Sequence, residues 1–308
     1  MLFVIYYMEV IAMICDEKVA ATGMSNGRLM LFLLELFVDD YICKKAVDLS
    51  GLEKASIHSI ITYENCVYLA DSFNNKIYKY GYNDGDFLET TVGRDPRHMF
   101  IYNDTMYVAN FDSDNISVID LSTFTLTESI PAGIKTHDVI VAEDSKMLYT
   151  TCYEENLVIE YSLISENKRY FTTDGKPMHL VLSNDCLVVM TYFVNGNVHT
   201  KINFMDLHKA AVNNVIELEG LASDFLIDKN MIYTINIVDK SLYVIDVFKR
   251  KIIKKIFLGG YPESIAVGKN NIYVSNSKKN QIVSVDKQSL TINETIELNF
   301  IPDCIKII

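Results

Sequence analysis

The chain has 308 residues, 49% of them hydrophobic and 22% charged, the balance of a soluble globular protein with a sizeable core. A formal net charge of −12 argues against a nucleic-acid partner, since such proteins need a basic face to release counterions from phosphates. No dense Lys/Arg block supplies such a face, and a local patch such as residues 249–255 (KRKIIKK) is more simply the solvated face of a strand.

From the N-terminus, residues 1–15 (MLFVIYYMEVIAMIC) are apolar but lack the basic lead of a signal peptide, and Glu9 interrupts them. Residues 29–38 (LMLFLLELFV) are too short to span a bilayer, which needs about 20 apolar residues. No membrane partner is expected, and the chain is placed in the cytoplasm. Six cysteines (Cys15, Cys43, Cys66, Cys152, Cys186, Cys304) follow no metal-like spacing and are read as free thiols of a reducing compartment.

A repeat then dominates the chain. In order it reads VAATGMSNGRLMLFL, VYLADSFNNKIYKY, MYVANFDSDNISVID, LYTTCYEENLVIEY, VVMTYFVNGNVHTKINFMD, IYTINIVDKSLYVID and IYVSNSKKNQIVSVD. Each copy is a β-rich run, a short Asn/Asp/Lys/Gly turn, and a second run that often ends in Asp. The anchors Ala20, Tyr68, Tyr107, Tyr149, Val189, Tyr233 and Tyr273 lie 48, 39, 42, 40, 44 and 40 residues apart. A third run such as FTLTESI follows each pair and a fourth such as ESIAV precedes it, so each period holds four strands. Four strands about every 40 residues mark a propeller blade. The expected fold is therefore all-β: a seven-bladed β-propeller with four antiparallel strands per blade, one domain over residues 1–308. The C-terminal IPDCIKII has the pattern of an innermost strand, and so do residues 8–14; either could complete blade one.

The runs YVANFDSDNISVIDLSTFTLTESIPAG and IYVSNSKKNQIVSVDKQSLTINETIEL resemble the YVTN-repeat seven-bladed β-propellers, the YncE-like or surface-layer-type group. That resemblance implies architecture more than activity, because propellers carry unrelated functions.

Aligning the innermost strands by residue type places His58 (SIHSII), His98 (PRHMFI), His137 (KTHDVIV), His179 (PMHLVL), Asp224 (ASDFLI), Ser264 (PESIAV) and Cys304 (PDCIKI) on one repeat position. Four of the six histidines thus fall in consecutive blades, around one mouth of the central channel. Imidazoles beside a carboxylate suit a divalent transition metal. The copper-binding propeller of nitrous oxide reductase, which resembles this repeat family, implies that such a position can reach a metal. The other reading is a hydrogen-bonded structural ring around a water-filled channel. Loop residues Arg94, Arg97, Lys135, Lys176 and Tyr261 make the same mouth locally basic and could steer a small anionic ligand.

No nucleophile-elbow, phosphate-loop, dinucleotide or zinc-protease motif is present. The expected function is a monomeric binding scaffold, without assigned catalytic residues, that holds a protein partner or small ligand at the channel mouth. The alternative is a metal-dependent enzyme; resemblance to virginiamycin B lyase and to lactonase propellers implies such chemistry on this fold. There His98, His137 and His179 would hold the metal, with Asp224 or His58 as base.

Overall fold

Alternating apolar and polar residues between turn-forming dipeptides leave the chain little choice but short strands, and those strands cannot bury both faces alone. The computed structural model describes residues 17–52, 54–183 and 186–308, which form 28 strands and no helix. They assemble into seven antiparallel sheets of four strands each. The innermost strands are Ile57–Tyr63, Pro96–Tyr102, Thr136–Ala142, Lys176–Ser183, Ala222–Asp228, Pro262–Val267 and Ile301–Ile307. Each touches the next, and Ile301–Ile307 touches Ile57–Tyr63, so the sheets close into a ring. This is a seven-bladed β-propeller.

Blade one is built from both ends of the described chain. Ile301–Ile307 pairs antiparallel with Glu17–Ser25, which continues to Arg28–Phe37 and Asp40–Asp48. The C-terminal candidate therefore fills the innermost position, and the competing stretch 8–14 lies outside the described residues. Closure in this way gives blade one the same four strands as the others, so each sheet keeps one short innermost edge facing the axis.

Burial follows position within a blade. The second strand of blade seven, Asn271–Asn276, is covered from Ile272 onward, whereas the outermost strand of blade six, Lys251–Phe257, exposes every residue but Ile256. Core clusters accordingly lie between sheets: Val19 and Leu34 of blade one pack with Tyr273 and Ile282 of blade seven, and the Phe32 and Phe300 rings stack at 3.8 Å. Turns use the residues their backbone demands, as at Asn26-Gly27 with φ of 50° and 74°.

The seam of blade one depends on Gly23. A Cβ there would sit 2.3 Å from the Ile301 carbonyl oxygen, at the irregularity in the pairing of the two strands. Gly23→Ala is expected to lower stability by about 2–4 kcal/mol in urea unfolding, because the closing strand must shift. Gly51→Ala, where a Cβ meets open space, serves as the control with a change near zero. Equal stability of the two variants would mean that the C-terminal strand does not close the ring.

Candidate functional site

The residues around the channel are placed by one recurring backbone irregularity. Near the mouth of each innermost strand the pairing slips, between Ile57 and Ser59, Pro96 and Met99, Thr136 and Val139, Pro177 and His179, Ala222 and Asp224, and Pro262 and Ile265. Blade one has the same slip opposite Ala21 and Gly23. A bulge re-aims the side chains it contains, so each blade presents two consecutive residues before the strand resumes with a buried apolar one: Ile60, Met99, Val139, Leu180, Phe225, Ile265 and Ile305.

Counting back from those apolar residues corrects the alignment by residue type. The first bulge position holds His58, Arg97, His137, Met178, Ser223, Glu263 and Asp303; the second holds Ser59, His98, Asp138, His179, Asp224, Ser264 and Cys304. The four histidines occupy two adjacent positions rather than one. They nevertheless converge, because alternate blades approach the same point from neighbouring levels. His58, His98, His137 and His179 form five ring contacts with centroids 4.6 to 5.6 Å apart. Imidazoles radiating from one tetrahedral ion at a metal–nitrogen distance of about 2.0–2.1 Å would show centroid spacings of about 5 Å. Ligand atoms of His58, His98 and His137 lie within 4.8 Å of one another, as do those of His98, Asp138 and His179.

Hydrogen bonds orient the rings. The His137 Nδ1–H donates to the Met178 carbonyl at 3.1 Å, which leaves the Nε2 lone pair free. His179 Nδ1 lies 3.4 Å from Asp138 Oδ2, the carboxylate–histidine arrangement that turns Nε2 outward for a metal. Nε2 of His98 is buried without a hydrogen-bond partner. At His58 the order is reversed: Arg97 Nη1 lies 3.2 Å from Nδ1, and a guanidinium can only donate, so Nδ1 is the acceptor and the proton of the neutral ring sits on Nε2.

Burial, then the Arg97 charge, holds the His58 imidazole down to about pKa 3. Burial and the neighbouring rings likewise push His98 and His137 well below the ordinary value, so these three rings are neutral and can donate lone pairs at neutral pH. Cys304, the seventh member of the second level, is kept protonated by burial, its thiol donating to the His58 carbonyl at 3.6 Å.

Asp224 stands on the same channel wall but is committed elsewhere. Its Oδ2 accepts from the Ile265 amide at 2.7 Å and the Ser264 hydroxyl at 3.1 Å. Burial raises its carboxyl, yet the Lys306 charge and the Ile265 amide outweigh that and hold it below the usual range. Ser264 in turn accepts from the Ile305 amide at 3.3 Å, and Asp138 Oδ2 accepts from the Leu180 amide at 3.2 Å. The second bulge position thus stitches one blade to the next.

The expected basic rim is present but largely offset. Arg97 pairs with Asp95 at 2.6 Å, Lys135 with Asp112, and Lys176 with Glu154 at 2.8 Å. Arg94 donates to the Asp112 carbonyl at 2.9 Å, and Tyr261 is a half-exposed side chain on blade seven. Of these, Arg97 reaches the histidines. The Arg97 and Lys135 cations each lie 4.9 Å from the Phe111 ring centroid, and that ring meets His137 edge-on at 5.9 Å. Asp138, Arg97 as a partner of His58, and the Met178 carbonyl were not legible as site groups; the Asp directly after His137 was the available signal.

The four histidines line part of a cavity of about 680 Å³ whose walls also include Ile60, Phe100, Ile140 and Leu182. On its other side Glu263 and Asp303 are carboxyls raised by burial, Asp303 to about 6 with Glu263 adding repulsion.

No family model and no curated protein matches the chain. Solved structures match it in fold. Kuenenia stuttgartiensis hydrazine synthase aligns at TM-score 0.67 and 16% identity over 77% of this chain and 80% of its own. Dihydro-heme d1 dehydrogenase NirN, in complex with DHE, aligns at 0.66 and 15% over 95% of this chain and 66% of its own. AztD from Citrobacter koseri aligns at 0.65 and 13% over 94% and 97%. At these identities the similarity is one of architecture.

The buried carboxyl at Asp303 has a measurable consequence. Its folded pKa of about 6 exceeds the ordinary 3.8, so the ionised form is destabilising above about pH 6 and the penalty fades as pH falls toward 3.8. Asp303→Asn should therefore gain about 2–3 kcal/mol over the wild type at pH 8, and much less at pH 4, in urea unfolding at the two pH values. The depressed imidazoles act oppositely in both proteins, their contribution being complete above about pH 6.5 and lost on acidification.

Proposed function

We propose that the protein is a ligand-binding propeller whose ligand is a divalent transition-metal ion held by the histidines at the channel mouth. The observation that carries this reading is the buried, unpartnered Nε2 of His98 in the middle of a cluster of rings spaced as metal ligands are. A purely structural ring would pair each buried nitrogen with a neighbouring group, since an orphaned polar atom costs about 1–3 kcal/mol. A metal ion removes that penalty directly. Neutral imidazole nitrogens favour zinc, copper, nickel or iron over magnesium or calcium.

A second reading, metal-dependent lyase or hydrolase chemistry, is favoured by the cavity of about 680 Å³ next to the rings, within the size range of small-molecule sites. A metal there would act as a Lewis acid on a ligand carbonyl or activate a water.

Protein purified without chelators or a histidine tag should carry or take up about one equivalent of metal per chain. The double variant His98→Ala/His137→Ala should lose that binding at least a hundredfold while keeping its β-sheet circular dichroism. Because burial holds His58, His98 and His137 well below the ordinary imidazole value, their lone pairs stay available on acidification and binding should persist at pH 5, where an exposed histidine site would have weakened. Wild-type protein that takes up no zinc, copper, nickel or cobalt on titration would overturn the proposal.

A further inference from the structure

We propose that the outer edge of blade six, strand Lys251–Phe257 with the turn before it, docks an extended acidic segment of a partner protein. In a chain of net charge −12, residues 249–255 (KRKIIKK) hold five cations and no carboxylate. The strand is the last of its sheet, so one row of its backbone N–H and C=O groups has no strand beside it. Between the cations Ile252 and Ile253 stand 39% and 40% exposed, and Phe248 and Phe257 near the two ends are 65% and 68% exposed.

The cations of the other outermost strands are engaged within the fold. Lys44 pairs with Glu35 at 2.9 Å, Lys45 lies 5.1 Å from the Tyr80 ring centroid, Lys168 donates to the Pro131 carbonyl at 2.7 Å, and Arg169 pairs with Glu160 at 2.6 Å. On blade six the supply of partners runs out. Asp246, opposite Lys251 in the pairing, is taken by Lys249 at 3.3 Å; Asp239 is taken by Lys255 at 2.8 Å; and Arg250 lies 5.9 Å from the Phe204 ring centroid. Lys251 and Lys254 are exposed, and among the described residues neither forms an ion pair.

The neighbouring edges select the shape of the partner. Blade five exposes Glu217 and Glu219 on its outermost strand Ala211–Glu219, and blade seven exposes Glu297 on Ile292–Glu297. A flat anionic surface such as a lipid bilayer, or a nucleic-acid duplex broad enough to span blades, would meet these carboxylates together with the lysines. A segment one strand wide, seated about 4.7–4.9 Å from the edge, meets the lysines alone. The pairing irregularity opposite Val244 and Ile245 precedes Lys254, and Lys254–Phe257 run in regular register after it, which leaves a straight stretch of edge for backbone pairing. Acidic side chains of the segment would face Lys251 and Lys254, and apolar ones Ile252 and Ile253.

Fluorescence anisotropy of a labelled peptide of alternating glutamate and valine, titrated with the full chain, tests the proposal. The wild type should bind it saturably. Lys251→Glu/Lys254→Glu should bind about tenfold more weakly, while Lys269→Glu/Lys278→Glu, the same charge change at exposed lysines of blade seven, should stay within about twofold of the wild type. Because all four side chains are exposed, both variants should keep the wild-type unfolding midpoint. Ile252→Ser/Ile253→Ser should weaken binding about threefold at unchanged charge. Equal weakening in the two charge variants, or a wild type that does not bind the peptide, would overturn the proposal and leave the lysines as a device that keeps the edge from pairing with another copy. Binding of phosphatidylserine vesicles that is lost in Lys251→Glu/Lys254→Glu, with none of the peptide, would assign the edge to a lipid surface and overturn it as well.

Discussion

The bulge at the mouth of each innermost strand is the constraint on which the rest depends. Two residues there oppose one on the neighbouring strand, so two consecutive side chains per blade leave the ordinary in-and-out alternation. One level binds the ring together, through Asp138 to the Leu180 amide, Asp224 to the Ile265 amide, and Ser264 to the Ile305 amide. The adjacent level is thereby free to carry chemistry, because the blades it projects from are already held by their neighbours. His98 and His179 rise from the stitching level to meet His58 and His137, which is how four rings from four blades come to lie about 5 Å apart.

That arrangement separates two demands a channel must meet. Interblade burial, as in the packing of blade one on blade seven, supplies cohesion well away from the axis. Polar groups near the axis can then be set by hydrogen bonding rather than by packing. The contrast between His58 and the rings of His137 and His179 illustrates the precision available: a guanidinium in one case, and a carbonyl or a carboxylate in the others, decide which nitrogen keeps its lone pair. The same axis holds Asp303 and Glu263 across from the rings, so the cavity has a nitrogen-rich side and an acidic side.

Much of the fold was legible in the chain because its cause is periodic. The Tyr anchors at 68, 107, 149, 233 and 273 all fall in second strands, and the C-terminal IPDCIKII does serve as an innermost strand. Convergence of the histidines was legible too, but their register was not. Matching by residue type put His58 and His137 level with His98 and His179, since either of the two adjacent bulge positions can hold a histidine and only the buried apolar residue that follows tells them apart. For the same reason Asp138 went unnoticed beside His179 while Asp224, at the equivalent position, was taken as the carboxylate of the site. The basic rim was read from Arg94, Arg97, Lys135 and Lys176 alone. Their partners Asp95, Asp112 and Glu154 sit in loops and hairpins of the same mouth, where only folding reveals which charges meet.

The central claim is that the histidine cluster at the channel mouth holds a metal ion. Anomalous scattering at the zinc edge from crystals of zinc-loaded protein tests it most directly. One peak is expected among the rings of His58, His98, His137 and His179, about 2.0–2.1 Å from each coordinating imidazole nitrogen. A map without a peak among these rings, in protein shown to have been exposed to zinc, would contradict it.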